Sequence, residues 1–387
     1  MGQLEDIERL RKKRNRRQSA KRMAGFLLAV LLFFGVIYGW QAIRASNITE
    51  VVAGALAELE SGSGYPIEFS SATIRQTEAM GNSLLVLTDT HLHIYNRHGK
   101  LLRSVPHQFA NPVMKFGGSR ILLYDTDSTR LLVESKTASV REMAFDHPVQ
   151  FASLSPRGDL AVITNAQRFL GQVLVYSSAL TDPVFSWKSA ESYLYHVAFS
   201  SDGDSIAVAG AQVQNGDLVS GLTLYRLNDQ EPIMQKSYVG ETIHDLSCQN
   251  GQWQVLTDRG AYYYSGSGKA RNTLSFRDEP LRAFCTKGDG LSALILGDYQ
   301  EFKSVRLSFV SESGEENAAL SLQSAVEAMD VTGSNGAVHL GNRILIFSAN
   351  GEILKEILPE KEVLHLALGS QVVYYVTPDA ICQESIR

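Results

Sequence analysis

The chain has 387 residues, 44% hydrophobic and 20% charged, with a formal net charge of −5. This is the composition of an ordinary globular protein, long enough for one large repeat domain plus an anchor. Three cysteines (Cys248, Cys285, Cys382) without a CxxC pair argue against a disulfide framework or a zinc site and read instead as small buried hydrophobes, a bridge between Cys248 and Cys285 being weakly supported.

The charge is unevenly placed. Residues 1–22 hold nine basic and three acidic side chains, a balance of +6, which leaves −11 on the rest. An acidic body repels nucleic acid, so no nucleic-acid partner is expected. Met23 to Trp40 then forms an uncharged apolar run of eighteen residues. At about 1.5 Å per residue it covers about 27 Å, close to a hydrocarbon core. Tyr38 and Trp40 stand where interfacial aromatics belong, and Arg14, Arg16, Arg17, Lys21 and Arg22 crowd the preceding flank, where they would contact anionic lipid. The expected topology is a single pass, with the N-terminus cytoplasmic and the remainder outside the cytoplasm. The rival, a cleaved signal peptide, has too long a basic region and apolar run and lacks a small-x-small cleavage site, because Arg44 falls inside Ala42-Ile43-Arg44-Ala45.

Ser46-Asn47-Ile48-Thr49-Glu50 followed by VVAGALAELE predicts a capped helix, a stalk or a short helix lying on the domain. Ser61-Gly62-Ser63-Gly64 follows as a flexible joint. The expected organisation is a basic cytoplasmic tail at 1–22, a transmembrane helix at 23–40, a helical stalk and Gly/Ser linker at 41–64, and a single domain at 65–387.

That domain is marked by a recurring turn. Gly81, Gly117, Gly158, Gly203, Gly251, Gly290, Gly336 and Gly369 are spaced by 36, 41, 45, 48, 39, 46 and 33 residues, with strand-like apolar segments around each. A strand-built period near 40 is that of a β-propeller blade. A second turn family recurs at His93–Lys100, Tyr262–Lys269, Leu307–Glu315 and Ile344–Glu352, an alternating strand running into a glycine turn. Together they mark strands a–b and c–d of each blade. Blade three reads in full as Val149–Leu154, Leu160–Asn165, Gln172–Ser177 and Pro183–Lys188. Seven blades run from about Thr73 to about Glu360. The C-terminal segment supplies three strands only, and Tyr65 to Ser70 is a strand without a neighbour. The two complete an eighth blade, closing the ring without free edges. Seven blades is the alternative.

Two segments carry a family likeness. Phe151-Ala152-Ser153-Leu154-Ser155-Pro156-Arg157-Gly158-Asp159-Leu160-Ala161 and Val197 to Ala207 resemble the Phe-Ser-Pro-Asp-Gly-x-x-Leu-Ala signature of WD40-like and TolB-like repeats, with Arg157 in place of Asp and Ser201 in place of Pro. The whole arrangement resembles an uncharacterised bacterial family of single-pass, membrane-anchored β-propeller proteins. The resemblance implies fold and topology and brings no activity with it.

Chemistry is sparsely signalled. His196 and His244 each stand seven residues before a repeat glycine, which predicts equivalent inner-strand positions. Two imidazoles pointing into a channel are weak metal candidates, since the matching Ile74, Phe151, Ala283 and Met329 supply no third ligand. Structural histidines are the expectation. Arg157-Gly158-Asp159 reads as turn chemistry. There is no Gly-x-Ser-x-Gly, Walker A loop or HExxH, and no cofactor platform. The expected function is non-catalytic: a scaffold binding a protein or peptide partner, or a ligand, at the cell envelope. The alternatives are an envelope enzyme acting on glycan or peptide, and a sensor coupling external binding to the tail.

Overall fold

A computed structural model describes residues 48–69, 74–276, 279–287, 290–297 and 305–386. The basic tail and the apolar run 23–40 lie outside them. Among the described residues no helix is long and apolar enough to cross a membrane.

The described strands form eight four-stranded antiparallel sheets, the blades of an eight-bladed propeller. With strands a to d counted outward, the a strands of blades 1–8 are Ile74–Met80, Pro112–Gly117, Val149–Leu154, Tyr193–Phe199, Ile243–Gln249, Leu281–Thr286, Ala328–Val331 and His365–Leu368. In blades 1–7 the four strands are consecutive in sequence. Blade 8 takes strands a–c from the C-terminus and its outer strand from Ile67–Glu68, which pairs Ile67 with Ile381 and Glu68 with Ala380. The ring is thus closed by the two ends of the chain, as the unpartnered strand at Tyr65 to Ser70 predicts.

The second strands explain why sequence alternation is weak here. In blade 1 every residue of Ser83–Thr88 is buried. Leu85 and Leu87 pack toward Met114, Ile121 and Leu123 of blade 2, while Leu84 and Val86 pack toward Ala367, Tyr374 and Ile381 of blade 8. Side chains alternate between two sheet faces, but both faces are covered, so the strand reads as a continuous apolar run. Outer strands such as Ser139–Ala144 pair on one side only and are largely exposed.

The c–d turns share one geometry. In blades 1, 5, 6 and 7 the N–H of Asn96, Ser265, Ser311 and Ser348 donates to the carbonyl four residues on, at 2.8–3.0 Å. Gly99, Gly268, Gly314 and Gly351 each take φ of +75° to +81° at the bulge position. Only that left-handed conformation lets a three-residue loop rejoin the twisted ladder, hence the recurring glycine.

The predicted helix is found as α1, Ile48–Ala57. It lies on the propeller face that carries the a–b and c–d turns. The Arg120 guanidinium clamps Glu50 through two hydrogen bonds of 2.7 and 2.8 Å, Lys136 Nζ reaches Glu58 at 2.7 Å, and Asn96 Nδ2 donates to the Ala57 and Glu60 carbonyls. The Gly/Ser segment is seated rather than loose. A Cβ at Gly62 would fall 2.2 Å from the His98 carbonyl oxygen, and Gly64 N–H donates to that same oxygen.

Candidate functional site in the central channel

The a strands line a central channel whose mouth, on the a–b turn face, is a cavity of about 360 Å³. Charged side chains enter it from a common register. Glu78 and Lys115 each stand two residues before the last paired residue of their strand, Met80 and Gly117, and Asp330 two residues before Thr332, whose N–H donates to the Asn335 carbonyl just past its strand. Lys287, at the end of strand a in blade 6, reaches Asp330 of blade 7 at 2.6 Å and Glu78 of blade 1 at 3.0 Å. Asp330 also accepts the Leu368 and Val331 N–H groups and the Cys285 thiol at 3.4 Å. Burial alone would push the Lys287 ammonium down, but the Asp330 and Glu78 carboxylates more than offset it and hold it above the usual lysine range. Burial, reinforced by Asp330, pushes the Cys285 thiol far up, so it is a poor nucleophile.

The opposite wall is built differently. His196 Nε2 lies 3.1 Å from Asp245 Oδ1, and Thr286 donates its hydroxyl to the other Asp245 oxygen. The His196 ring packs on Phe151 with centroids 4.2 Å apart, and its Nδ1 is buried without a hydrogen-bond partner. Lys115 places its ammonium 3.5 Å above the Phe151 ring, a cation–π contact, and forms no ion pair among the described residues. Burial pushes this ammonium down to about 8, with the Asp245 carboxylate pulling the other way. Among the described residues, the channel mouth therefore presents Lys115 as a weakly held cation beside charges that are tied to each other.

The two histidines are not equivalent, contrary to the sequence expectation. In blade 4 the ladder ends where Ser200 donates to the Ser205 carbonyl, leaving four loop residues with Gly203 third. In blade 5 it ends at the Gln249–Gln252 pair, leaving two with Gly251 second. Counting from the ladder end, His196 and Asp245 are both four residues back, and His244 is one out of register. A one-residue offset turns a side chain to the other face. His244 is accordingly exposed, beside the Phe284 ring at 6.2 Å. Among the described residues no three His, Cys, Asp or Glu side chains converge as metal ligands.

Lys115, Glu78, Asp330, Lys287 and Asp245 were not singled out by the sequence reading. Their signal is a charge within or at the end of an inner strand, which for Glu78, Lys115 and Asp330 recurs at one repeat position. Elsewhere, Asp159 is tied to Ser155 Oγ and the Ser178 N–H and Arg157 to Asp204, so Arg157-Gly158-Asp159 is spent on its turn. All three thiols are free. Arg14, Arg16, Arg17, Lys21, Arg22, Tyr38 and Trp40 lie outside the described residues. A larger groove, about 680 Å³, runs along the rim between blades 7 and 8, but its Lys355 and Lys361 are already paired with Glu384 and Asp379.

Residues 58–383 match the family of unknown function DUF5711. The chain belongs to that family. No curated protein matches it. Among solved structures, this DUF5711 chain is similar to the C-terminal WD40 domain of Sif2, with 11% identity over 84% of this chain and 97% of that one and a TM-score of 0.60. It is also similar to BamB from Moraxella catarrhalis, with 11% identity over 82% and 97% of the two chains and a TM-score of 0.50. At such identity the likeness is one of fold.

Proposed function

We propose that this DUF5711 protein is a membrane-anchored, extracytoplasmic binding platform that holds a protein or peptide partner at the bacterial envelope. The apolar run 23–40 is its single span, with the basic residues 1–22 on the cytoplasmic side. The channel mouth is the binding site, and the observation that carries this reading is Lys115. Its ammonium has an aromatic ring beneath it and, among the described residues, no carboxylate paired to it, so an acidic group of a partner gains a charge-assisted contact there. The neighbouring Glu78 and Asp330 are held by Lys287, and Asp245 by His196 and Thr286, so Asp245 acts on the Lys115 ammonium only through space. Propellers suit such a role because the sheets hold the turns of one face in fixed positions.

The test is photo-crosslinking in intact cells. A crosslinking amino acid at position 156, on the channel mouth, should give a discrete adduct that is lost in Lys115→Glu. The same group at position 169, in a b–c turn on the opposite face, should not. Equal adducts from both positions, or persistence in Lys115→Glu, would refute the site. Protease added outside spheroplasts should digest the propeller, and full protection of it would refute the topology.

A further inference from the structure

Helix α1 carries an apolar face that the ring does not use. Its inner side is Gly54 and Ala57, small residues that let the helix settle onto the blade 2 turn, with Gly54 against the Lys136 aliphatic chain. Its outer side holds Val51, Val52, Leu56 and, just past the helix, Leu59, which are 49%, 53%, 61% and 70% exposed. Four aliphatic side chains on one side of an element that is clamped by Glu50–Arg120, Glu58–Lys136 and Asn96 are not a fraying end. Clamping fixes which way they face, and they face off the a–b turn side of the propeller.

The chain itself says what lies there. Seven residues, 41–47, separate the end of the apolar run at Trp40 from the start of α1 at Ile48. Seven residues extend to at most about 25 Å. If the run spans a bilayer, α1 cannot leave the neighbourhood of its outer surface. We infer that α1 lies in the membrane interface, with Val51, Val52, Leu56 and Leu59 in contact with lipid, and so sets the propeller with its a–b turn face toward the bilayer. This rests on the reading of 23–40 as a membrane span. The mechanism is that of an interfacial amphipathic helix, whose apolar side enters the headgroup–acyl boundary while its polar side stays outside. Here the polar side is occupied by the propeller instead of water. The channel mouth opens on the same face, so a partner reaches it from the bilayer side.

The experiment uses the full chain in proteoliposomes of phosphatidylethanolamine and phosphatidylglycerol. An environment-sensitive fluorescent amino acid is placed at position 52, and in a control at position 169 on the opposite face. Brominated lipids should quench position 52 several-fold more than position 169, and aqueous iodide should quench position 169 more. Carbonate extraction separates the two ideas. Protein released by carbonate would defeat the span reading and this inference with it. Protein retained in the bilayer, with position 52 quenched by iodide as freely as position 169, would overturn the inference and leave the span intact. Protection of position 52 from both quenchers, appearing only at high protein-to-lipid ratio, would overturn it too, since a second copy would then be the cover.

Discussion

Lys287 on blade 6 and Glu78 on blade 1 meet at 3.0 Å, three blades apart around the ring. With Asp330 of blade 7 at 2.6 Å on the same ammonium, the lysine joins the inner strands of blades 6, 7 and 1 through one side chain. Its side chain is 16% exposed and that of Asp330 is 6% exposed, so water does little to screen the pair. Replacing Lys287 by Met leaves two carboxylates facing each other without a cation. Loss of one partner of a buried pair costs about 3–5 kcal/mol, and the partial exposure here lowers the expectation to about 2–3 kcal/mol. Adding Asp330→Asn should recover part of that loss. Urea unfolding of the single and double variants measures both, and a single variant as stable as the parent would show that the tie is unimportant.

Lys115 should make stability depend on pH in the direction opposite to a paired lysine. Its folded value is about 8 against 10.5 for an ordinary lysine, because burial disfavours the charge. Between these values the unfolded chain binds more protons than the folded one, so stability rises as pH rises through that window. At about 1.4 kcal/mol per pH unit the effect is at most about 3 kcal/mol. Lys115→Met should therefore melt higher than the parent near pH 7, and the gap should close toward pH 10. A gap that stays constant over that range would contradict the assignment.

Closure by both chain ends makes the N-terminal strand indispensable. Removing residues 1–45 spares α1 and Ile67–Glu68 and should leave a folded ring. Removing 1–72 strips the outer strand from Ala380–Ser385 and exposes its backbone to other chains. The longer deletion should melt lower and aggregate in size-exclusion chromatography. Equal behaviour of the two truncations would sink the closure argument.

His196 and His244 should respond differently to replacement by Asn. His244 is exposed, and its loss should change stability by less than about 0.5 kcal/mol. His196 carries the Asp245 contact and the stack on Phe151, and its loss should cost about 1–2 kcal/mol. Thermal melts of the two single variants decide it, and matched losses would restore their equivalence.

Much of this architecture was legible because turns report it. Glycines at fixed backbone positions gave the period, and Tyr65 to Ser70, a strand with no neighbour, pointed to the missing member of blade 8. The histidine register was misread because Gly203 and Gly251 belong to loops of different length, and the glycine alone does not reveal where the ladder ends. The Lys287–Glu78 contact was not legible for another reason. The two residues are more than two hundred positions apart, and they meet only because eight twisted sheets close at a particular radius. The clamp of Glu50 by Arg120 escaped for the same reason, since a first-turn acid reads locally as a capping residue.

Blade 8 also bears on how the molecule is made. Ile67 and its partner Ile381 are separated by 314 residues. At about 5–20 residues per second, the first of them leaves the ribosome roughly 15–60 s before the second exists. Throughout synthesis the nascent chain carries an open edge at each end, and nothing before the last strand can remove either. A stop codon that cost only the residues after Pro378 would leave every earlier blade intact in sequence and the circle unfinished. Completion of the ring is in that sense a readout of translation through Ala380–Ser385, available to any protease or chaperone that recognises an unpaired strand.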